Sequence, residues 1–184
     1  MSKHIAYIGL GSNIRPRGLH ILTALRSINE LFGTRVTGLS NLYETAPVAV
    51  HTFNYFLNGV AQLCTNLSAR GLLKALQGIE LRLGRDRTLV DRTIDLDLLL
   101  FDDLQISEEA MTIPHARMHL RLFVLKPLFE LAPDLSIPGL EKTVRLLLQD
   151  LQGLKGQDQA IEPYHGEFLQ EFCAFQKAIQ AHYT

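Results

Sequence analysis

The stretch Arg92-Thr93-Ile94-Asp95-Leu96-Asp97-Leu98-Leu99-Leu100-Phe101 decides how this 184-residue chain reads. Ile94, Leu96, Leu98 and Leu100 alternate with Asp95, Asp97 and Leu99, the period of a β-strand. A period of two puts both carboxylates on one face, with Cα atoms roughly 6.5–7 Å apart. Two like charges on a mostly apolar strand repel and lose hydration unless a cation lies between them. Oxygen ligands on a rigid strand suit Mg²⁺, which completes its shell with water and substrate phosphates. Arg85, Arg87 and Arg92 lie just before the strand and supply guanidiniums for phosphate oxygens. The pattern outlines a phosphoryl-transfer site, although the spacing alone fits a solvated strand face equally well.

The bulk composition excludes several classes. A chain of this length forms one domain with a sizeable core. Hydrophobic content of 47% and charged content of 20% are those of a globular protein. A net charge of −1 gives no field for nucleic acid or an anionic membrane. Cys64 and Cys173 fit no metal or redox spacing and read as reduced packing residues of a cytoplasmic protein. The first residues lack an apolar signal core, and no run is long enough to span a membrane.

Working outward, residues 5–10 form an apolar strand that stops at Gly11-Ser12-Asn13. Gly9 and Gly11 permit close approach, so this strand end reads as a pocket floor or a plain turn exit. Leu19 to Phe32 has helical spacing, with Gly33 as its stop. Val36 to Tyr43 reads as a strand and Glu44 to Thr52 as a loop pinned by Pro47. Tyr55 to Leu63 is a strand carrying Asn58 in an apolar setting, where a half-buried amide needs a partner. Ser68 caps a helix over Ala69–Leu83, with Gln77 and Glu80 on its polar flank and Gly84 as its end. Asp102-Asp103 is a turn. Met111 to His115 is an edge segment ended by Pro114. His115 and His119 have a spacing that could clip zinc, but no third ligand is nearby. Val124 to Leu131 reads as a helix in which Pro127 fits only near the first turn. Glu141 to Leu151 and Phe168 to Tyr183 are further helices.

These residues together resemble the 6-hydroxymethyl-7,8-dihydropterin pyrophosphokinase family of folate biosynthesis. The matching runs are Tyr7 to Asn13, Tyr43 to Pro47, Phe56-Leu57-Asn58, Gln77 to Leu81, Gly84-Arg85, Arg92 to Asp97, Ile113-Pro114-His115, Arg121, and Pro127 to Pro133. They occur in one consistent order across residues 4 to about 150. The resemblance implies an α+β fold with a ferredoxin-like core, a mixed, mainly antiparallel sheet flanked by helices. It implies transfer of pyrophosphate from ATP, the co-substrate, to the pterin hydroxymethyl group, with AMP leaving and two Mg²⁺ ions bridging the phosphates. Asp95 and Asp97 would hold both metals, and Arg85 and Arg92 would meet the phosphates. Arg121 and His115 would complete the positive cradle, with Gln77, Glu80 and Thr112 along the nucleotide. Phe56 and Phe123 would sandwich the reduced pterin, Asn58 would bond its edge, and the backbone of Thr45, Ala46 and Val48 would read the rest.

The chain departs from that pattern in three places. The segment from Gly84 to Arg92 is short and carries Leu89-Val90-Asp91 in place of a Trp-Gly-Pro, so the lid over ATP is curtailed. Ala116 stands where an aromatic often follows the histidine. Residues 156–184 are expected to form a helical extension on the 1–155 pyrophosphokinase domain, too short for a fused second enzyme, in a monomer or weak homodimer. Two other classes compete: a catalytically weakened pterin or nucleotide binder, motivated by the short lid, and a ferredoxin-like RNA-binding module. The near-neutral charge argues against the second.

Overall fold

The computed structural model describes residues 3–47, 52–153 and 160–181. In chain order the elements are β1 (His4–Ser12), α1 (Arg17–Asn29), β2 (Thr34–Leu39), β3 (Tyr43–Thr45), β4 (Phe56–Thr65), α2 (Ala69–Arg82), β5 (Asp95–Phe101), β6 (Ile106–Glu108), β7 (Met111–Ile113), α3 (Leu122–Leu131), β8 (Ser136–Ile137), β9 (Lys142–Thr143), α4 (Val144–Gly153), β10 (Ile161–Pro163) and α5 (Leu169–Ala181).

The main sheet runs β10-β3-β4-β1-β5, with β2 also paired to β4. All its described ladders are antiparallel. The units β1-α1-β2 and β4-α2-β5 interlock so that β4 and β1 are central, which is the split βαβ arrangement of an α+β ferredoxin-like core. Alternation along the strands makes two apolar layers. Ala6, Ile8 and Leu10 join α1, α2 and α5 on one face. Tyr7, Val60 and Leu99 join α3 and α4 on the other.

Three local features set the shape of the second face. β5 carries an extra residue against β1, since Tyr7 pairs with Leu100 but Ile8 pairs with Leu98. This bulge turns Leu100 onto the face of Leu99 and the aspartates, so the strict alternation expected through Leu100 ends at Leu98. The Leu99 carbonyl instead accepts the His115 N–H at 2.9 Å, which holds His115 beside the strand. Ser68 caps α2, its Oγ accepting from Gly71 N–H at 3.2 Å. At the other end Gly84 adopts φ +82°. Its N–H donates to Leu81 and that of Arg85 to Glu80, a Schellman closure that turns Arg85 toward β5.

Several expected boundaries move. Tyr43, Glu44 and Thr45 form β3, because β4 offers them a ladder that a local reading of Glu44 to Thr52 as loop does not see. α1 ends at Asn29, three residues before the expected end at Phe32, with Glu30 as its C-cap. Pro127 lies in the middle of α3, where burial against the second layer outweighs the lost backbone bond. α4 starts at Val144, since Lys142 and Thr143 pair with β8. The expected last helix is α5, and its final expected residues fall outside the described range. Phe172 and Ile179 of α5 are buried in the core with α1 and β2. Cys64 and Cys173 are free and half-buried. No helix among the described residues is long and apolar enough to cross a membrane.

Candidate active site

The second face of β1 is bare at two positions because Gly9 and Gly11 have no side chains. In register, Gly11 lies between Asn58 of β4 and Asp95 of β5, and Gly9 between Val60 and Asp97. A Cβ on Gly11 would stand 3.4 Å from Asn58 Oδ1 and 3.6 Å from Asp95 Cβ. The pocket-floor reading of these glycines therefore matches the structure, and both carboxylates do project from one face.

One cavity opens over that floor, and a second adjoins it. The first, about 290 Å³, is lined by Thr45, Ala46, Phe56, Asn58 and Phe123, together with Arg92, Arg121 and both aspartates. The second, about 350 Å³, is lined by Gln77, Glu80, Arg85 and Thr112. Asp95, Asp97 and His115 line both. Every expected site residue within the described range borders one cavity or the other; Val48 lies outside the described residues.

The charges are arranged in a compact mesh. Arg92 donates to Asp95 at 2.6 Å, Arg85 Nε lies 3.8 Å from Asp95, and Arg121 lies 3.8 Å from Asp97. Two carboxylates face three guanidiniums, so the site is net positive and favours an anion. Asp97 is 43% exposed, into the cavity. The protein around it and the nearby Asp95 push its carboxyl above the ordinary range, against the pull of His115, Arg121 and Arg92. Burial likewise lowers the His115 imidazole, against the pull of Asp97. The same arginines cover the aromatic rings: Arg92 lies 5.0 Å from the Phe56 centroid and Arg121 lies 5.4 Å from that of Phe123. Asn58, buried, donates to the Thr45 hydroxyl at 2.7 Å, which leaves its Oδ1 over Gly11.

The donor set suits magnesium better than zinc. Among the described residues no three His, Cys, Asp or Glu side chains cluster as a metal cage. Asp95 and Asp97 offer oxygen only, and the open floor beside them leaves room for water and phosphate oxygens.

Some side chains do other work than the sequence suggested. Glu80, 5% exposed, accepts the Leu96 N–H at 2.8 Å and pairs with Arg87 at 3.0 Å. Its carboxylate thus fixes the strand between the two aspartates. Arg85 also donates to the Asp86 and Leu89 carbonyls, which ties the lid to Asp95. Sequence reasoning missed Asn13 and Asp91. Asn13 Oδ1 accepts the Arg92 N–H at 2.6 Å, and its amide donates to Asp91 at 2.6 Å. Asp91 also accepts from Thr52 and Asn54, both at 2.7 Å. The available signal was a polar Asn directly after an apolar strand, which needs partners as Asn58 does. Asp102 is not part of the acidic site. It closes the far end of β5 by accepting from Ile5 N–H and contacting His4.

A ferredoxin-like sheet with paired carboxylates, a cationic rim and a ring-lined cavity defines a phosphoryl-transferring α+β enzyme. Residues 7–133 match the model of the 7,8-dihydro-6-hydroxymethylpterin-pyrophosphokinase (HPPK) family. A 2-amino-4-hydroxy-6-hydroxymethyldihydropteridine pyrophosphokinase of Pseudomonas aeruginosa is 44% identical over 134 residues, covering 72% of this chain and 83% of that one. The folic acid synthesis protein fol1 of Schizosaccharomyces pombe is 41% identical over 155 residues, covering 82% of this chain but only 21% of its own length. A solved HPPK-DHPS in complex with substrates shares the fold, with TM-score 0.68 at 14% identity over 82% of this chain and 43% of that one. The chain belongs to the HPPK family of pyrophosphokinases.

Proposed function

We propose that this chain transfers pyrophosphate from ATP to the hydroxymethyl group of 6-hydroxymethyl-7,8-dihydropterin, releasing AMP, as a cytoplasmic enzyme of folate synthesis. The observation that carries the reading is the meeting of two cavities at Asp95, Asp97 and His115. One cavity has the rings and amide suited to a flat polar heterocycle, and the other has the helix flank and cations suited to a nucleotide. The reacting centre then falls where they join.

In this reading the pterin ring stacks between Phe56 and Phe123, with its edge on Asn58 and the backbone of Thr45 and Ala46. The ATP lies along Gln77 and Thr112, with its phosphates toward Arg85, Arg92, Arg121 and His115. Glu80 acts behind the strand rather than on the nucleotide. Asp95 and Asp97 would hold two Mg²⁺, which when bound screen the phosphates and stabilise their developing charge. The pterin hydroxyl oxygen bonds to the β-phosphorus and gives up its proton to solvent, the bond from that phosphorus to the α-phosphate oxygen breaks, and AMP carries the electron pair away. The arginines hold the phosphates in line, so positioning and charge stabilisation supply most of the rate. Among the described residues, those up to 153 carry the site and 160–181 pack on the same domain, in a monomer or weak dimer without nucleic-acid or membrane partners.

Mass spectrometry of products after incubation with ATP, Mg²⁺ and the reduced pterin tests this. AMP and the pterin diphosphate in equal amounts are expected. ADP with a pterin monophosphate, or binding of both substrates without products, overturns it.

A further inference from the structure

A third cavity, of about 460 Å³, lies away from the reacting centre, between the start of α1 and residues 160–167. Arg17 is the buried cation in its wall, 8% exposed. Its guanidinium donates to the Tyr55 carbonyl at 2.8 Å and to the Glu44 carboxylate at 2.7 Å. Tyr55 directly precedes Phe56, and Glu44 directly precedes Thr45. One planar fork therefore fixes the two strand ends that bear the aromatic and hydroxyl walls of the first cavity.

The C-terminal segment closes over this fork. The Tyr164 ring lies 5.8 Å from the Arg17 guanidinium carbon. Tyr164 N–H donates to Leu42 at 2.9 Å, and its hydroxyl donates to the Glu167 carbonyl at 2.9 Å. β10 lies along β3, with Ile161 opposite Thr45 and Glu162 opposite Glu44. Gly18, next to Arg17, approaches so closely that an added Cβ would sit 2.7 Å from the Glu167 carbonyl. Residues 160–168 thus shield Arg17 from water and pair with the strand that carries Thr45. They lie beyond residues 7–133, the part matched to the family.

We propose that the C-terminal segment is part of the pterin-binding apparatus and acts through Arg17, a positioning residue. Tyr164 holds Arg17, and Arg17 sets the placement of Phe56 and Thr45. This rests on the reading of Thr45, Phe56 and Asn58 as the pterin side of the site. A fork shielded from water holds its two acceptors more firmly than an exposed one. Loosening it shifts the pterin wall and leaves the second cavity intact, because Gln77, Arg85 and Thr112 stand on α2, its exit and β7, away from Arg17.

The test is calorimetry on the full chain, run separately with 6-hydroxymethyl-7,8-dihydropterin and with Mg²⁺ and a non-hydrolysable ATP analogue, below the melting range of every variant. Arg17→Gln and Tyr164→Leu are expected to weaken pterin binding about tenfold, the size of one charge-assisted bond lost from a positioned wall. Nucleotide affinity stays within twofold of the parent, a margin on the order of 0.4 kcal/mol. Tyr164→Phe keeps the ring over Arg17 and retains pterin affinity. Asn58→Ala serves as the reference loss. If Asn58→Ala abolishes pterin binding while Tyr164→Leu leaves it intact, the brace is wrong and the pterin side stands. If both affinities fall together in Tyr164→Leu, the segment supports only the fold. If the parent chain itself does not bind the pterin, the reading of the first cavity fails and the brace with it.

Discussion

Asn58 and Asp95 flank the same residue, Gly11, in one row across three strands. Their Cα atoms are therefore two strand spacings apart, roughly 9.6 Å, with no side chain between them. In the proposed reaction that gap holds the pterin between its recognised edge and the phosphates. Gly11→Ala tests whether the gap matters. The new methyl would lie 3.4 Å from Asn58 Oδ1 and 3.6 Å from Asp95 Cβ, so the fold accepts it. An alanine also relieves the entropy cost of a glycine in a strand, by up to about 1 kcal/mol. The expected outcome is an unchanged or higher Tm with pterin affinity reduced about tenfold or more. Full affinity in the alanine variant would show that the ligand does not use this floor.

Asp97 presents the opposite balance between stability and function. Its carboxyl is pushed up by burial and by Asp95, so its ionised form is held at some cost in the folded chain. Asp97→Ala removes that cost, and thermal melting at neutral pH is expected to show Tm unchanged or raised. The same variant loses a proposed Mg²⁺ ligand, and AMP formation is expected to fall by about 10³-fold or more, several kcal/mol of barrier. Chelation of divalent ions should silence the parent enzyme and return on adding Mg²⁺. Turnover of the alanine variant at the parent rate would remove Asp97 from the metal site.

Much of this site was legible because its residues act through short-range spacing. Asp95 and Asp97 are two apart on a strand, so their common face follows from the pleat alone. Gly84 after an amphipathic run predicted the turn that delivers Arg85. Long-range pairing was less legible. β3 exists because β4 offers it a ladder, and nothing local in Tyr43-Glu44-Thr45 marks it as a strand. The bulge at Leu99 is set by the register against β1, so the run Leu98-Leu99-Leu100 cannot reveal which leucine is the extra one. Glu80 reads as a polar flank residue in the helix, yet its role comes from Leu96, sixteen residues on. Asp91 reads as a lid residue, and its partners Asn13 and Thr52 come from two other segments.

Glu80 carries a pH-dependent signature. Burial is the largest influence on it and raises its carboxyl above the ordinary 4.5, opposed by the Leu96 N–H bond, with Asp95 raising it further. Below the unfolded value the group is neutral in both states, and its burial then costs nothing in charge. As pH rises through the elevated folded value, the folded chain must ionise a buried acid that the unfolded chain ionises freely, so stability falls. Glu80→Gln keeps an oxygen for Leu96 and cannot ionise. Urea unfolding from pH 5 to 7.5 should therefore show the parent losing ground against the variant as pH rises. A flat difference across that window would mean that Arg87 fully compensates the burial. Glu80→Leu strands the Leu96 N–H and should cost about 1–3 kcal/mol at any pH.

Asp91 joins the nucleotide-side lid to the pterin-side loop. Its carboxylate accepts from Thr52 and Asn13 on one oxygen and from Asn54 on the other. Those bonds, that of Thr52 first, hold its carboxyl below the ordinary 3.8. A depressed value means the ionised form is the bonded one, so the latch is whole above that range and opens only as the acid protonates below it. The latch is therefore closed throughout the neutral range, and only mutation releases it there. Asp91→Ala frees Thr52 and Asn54 from the lid while leaving the Arg92 N–H on Asn13. Hydrogen exchange is expected to speed up together at residues 52–55 and 86–91, with the sheet unaffected. Because both substrates then meet a looser rim, KM should rise severalfold for ATP and for the pterin alike. Faster exchange in the lid alone, with the 52–55 segment still protected, would show that the two loops are held independently and that Asp91 serves only its own side.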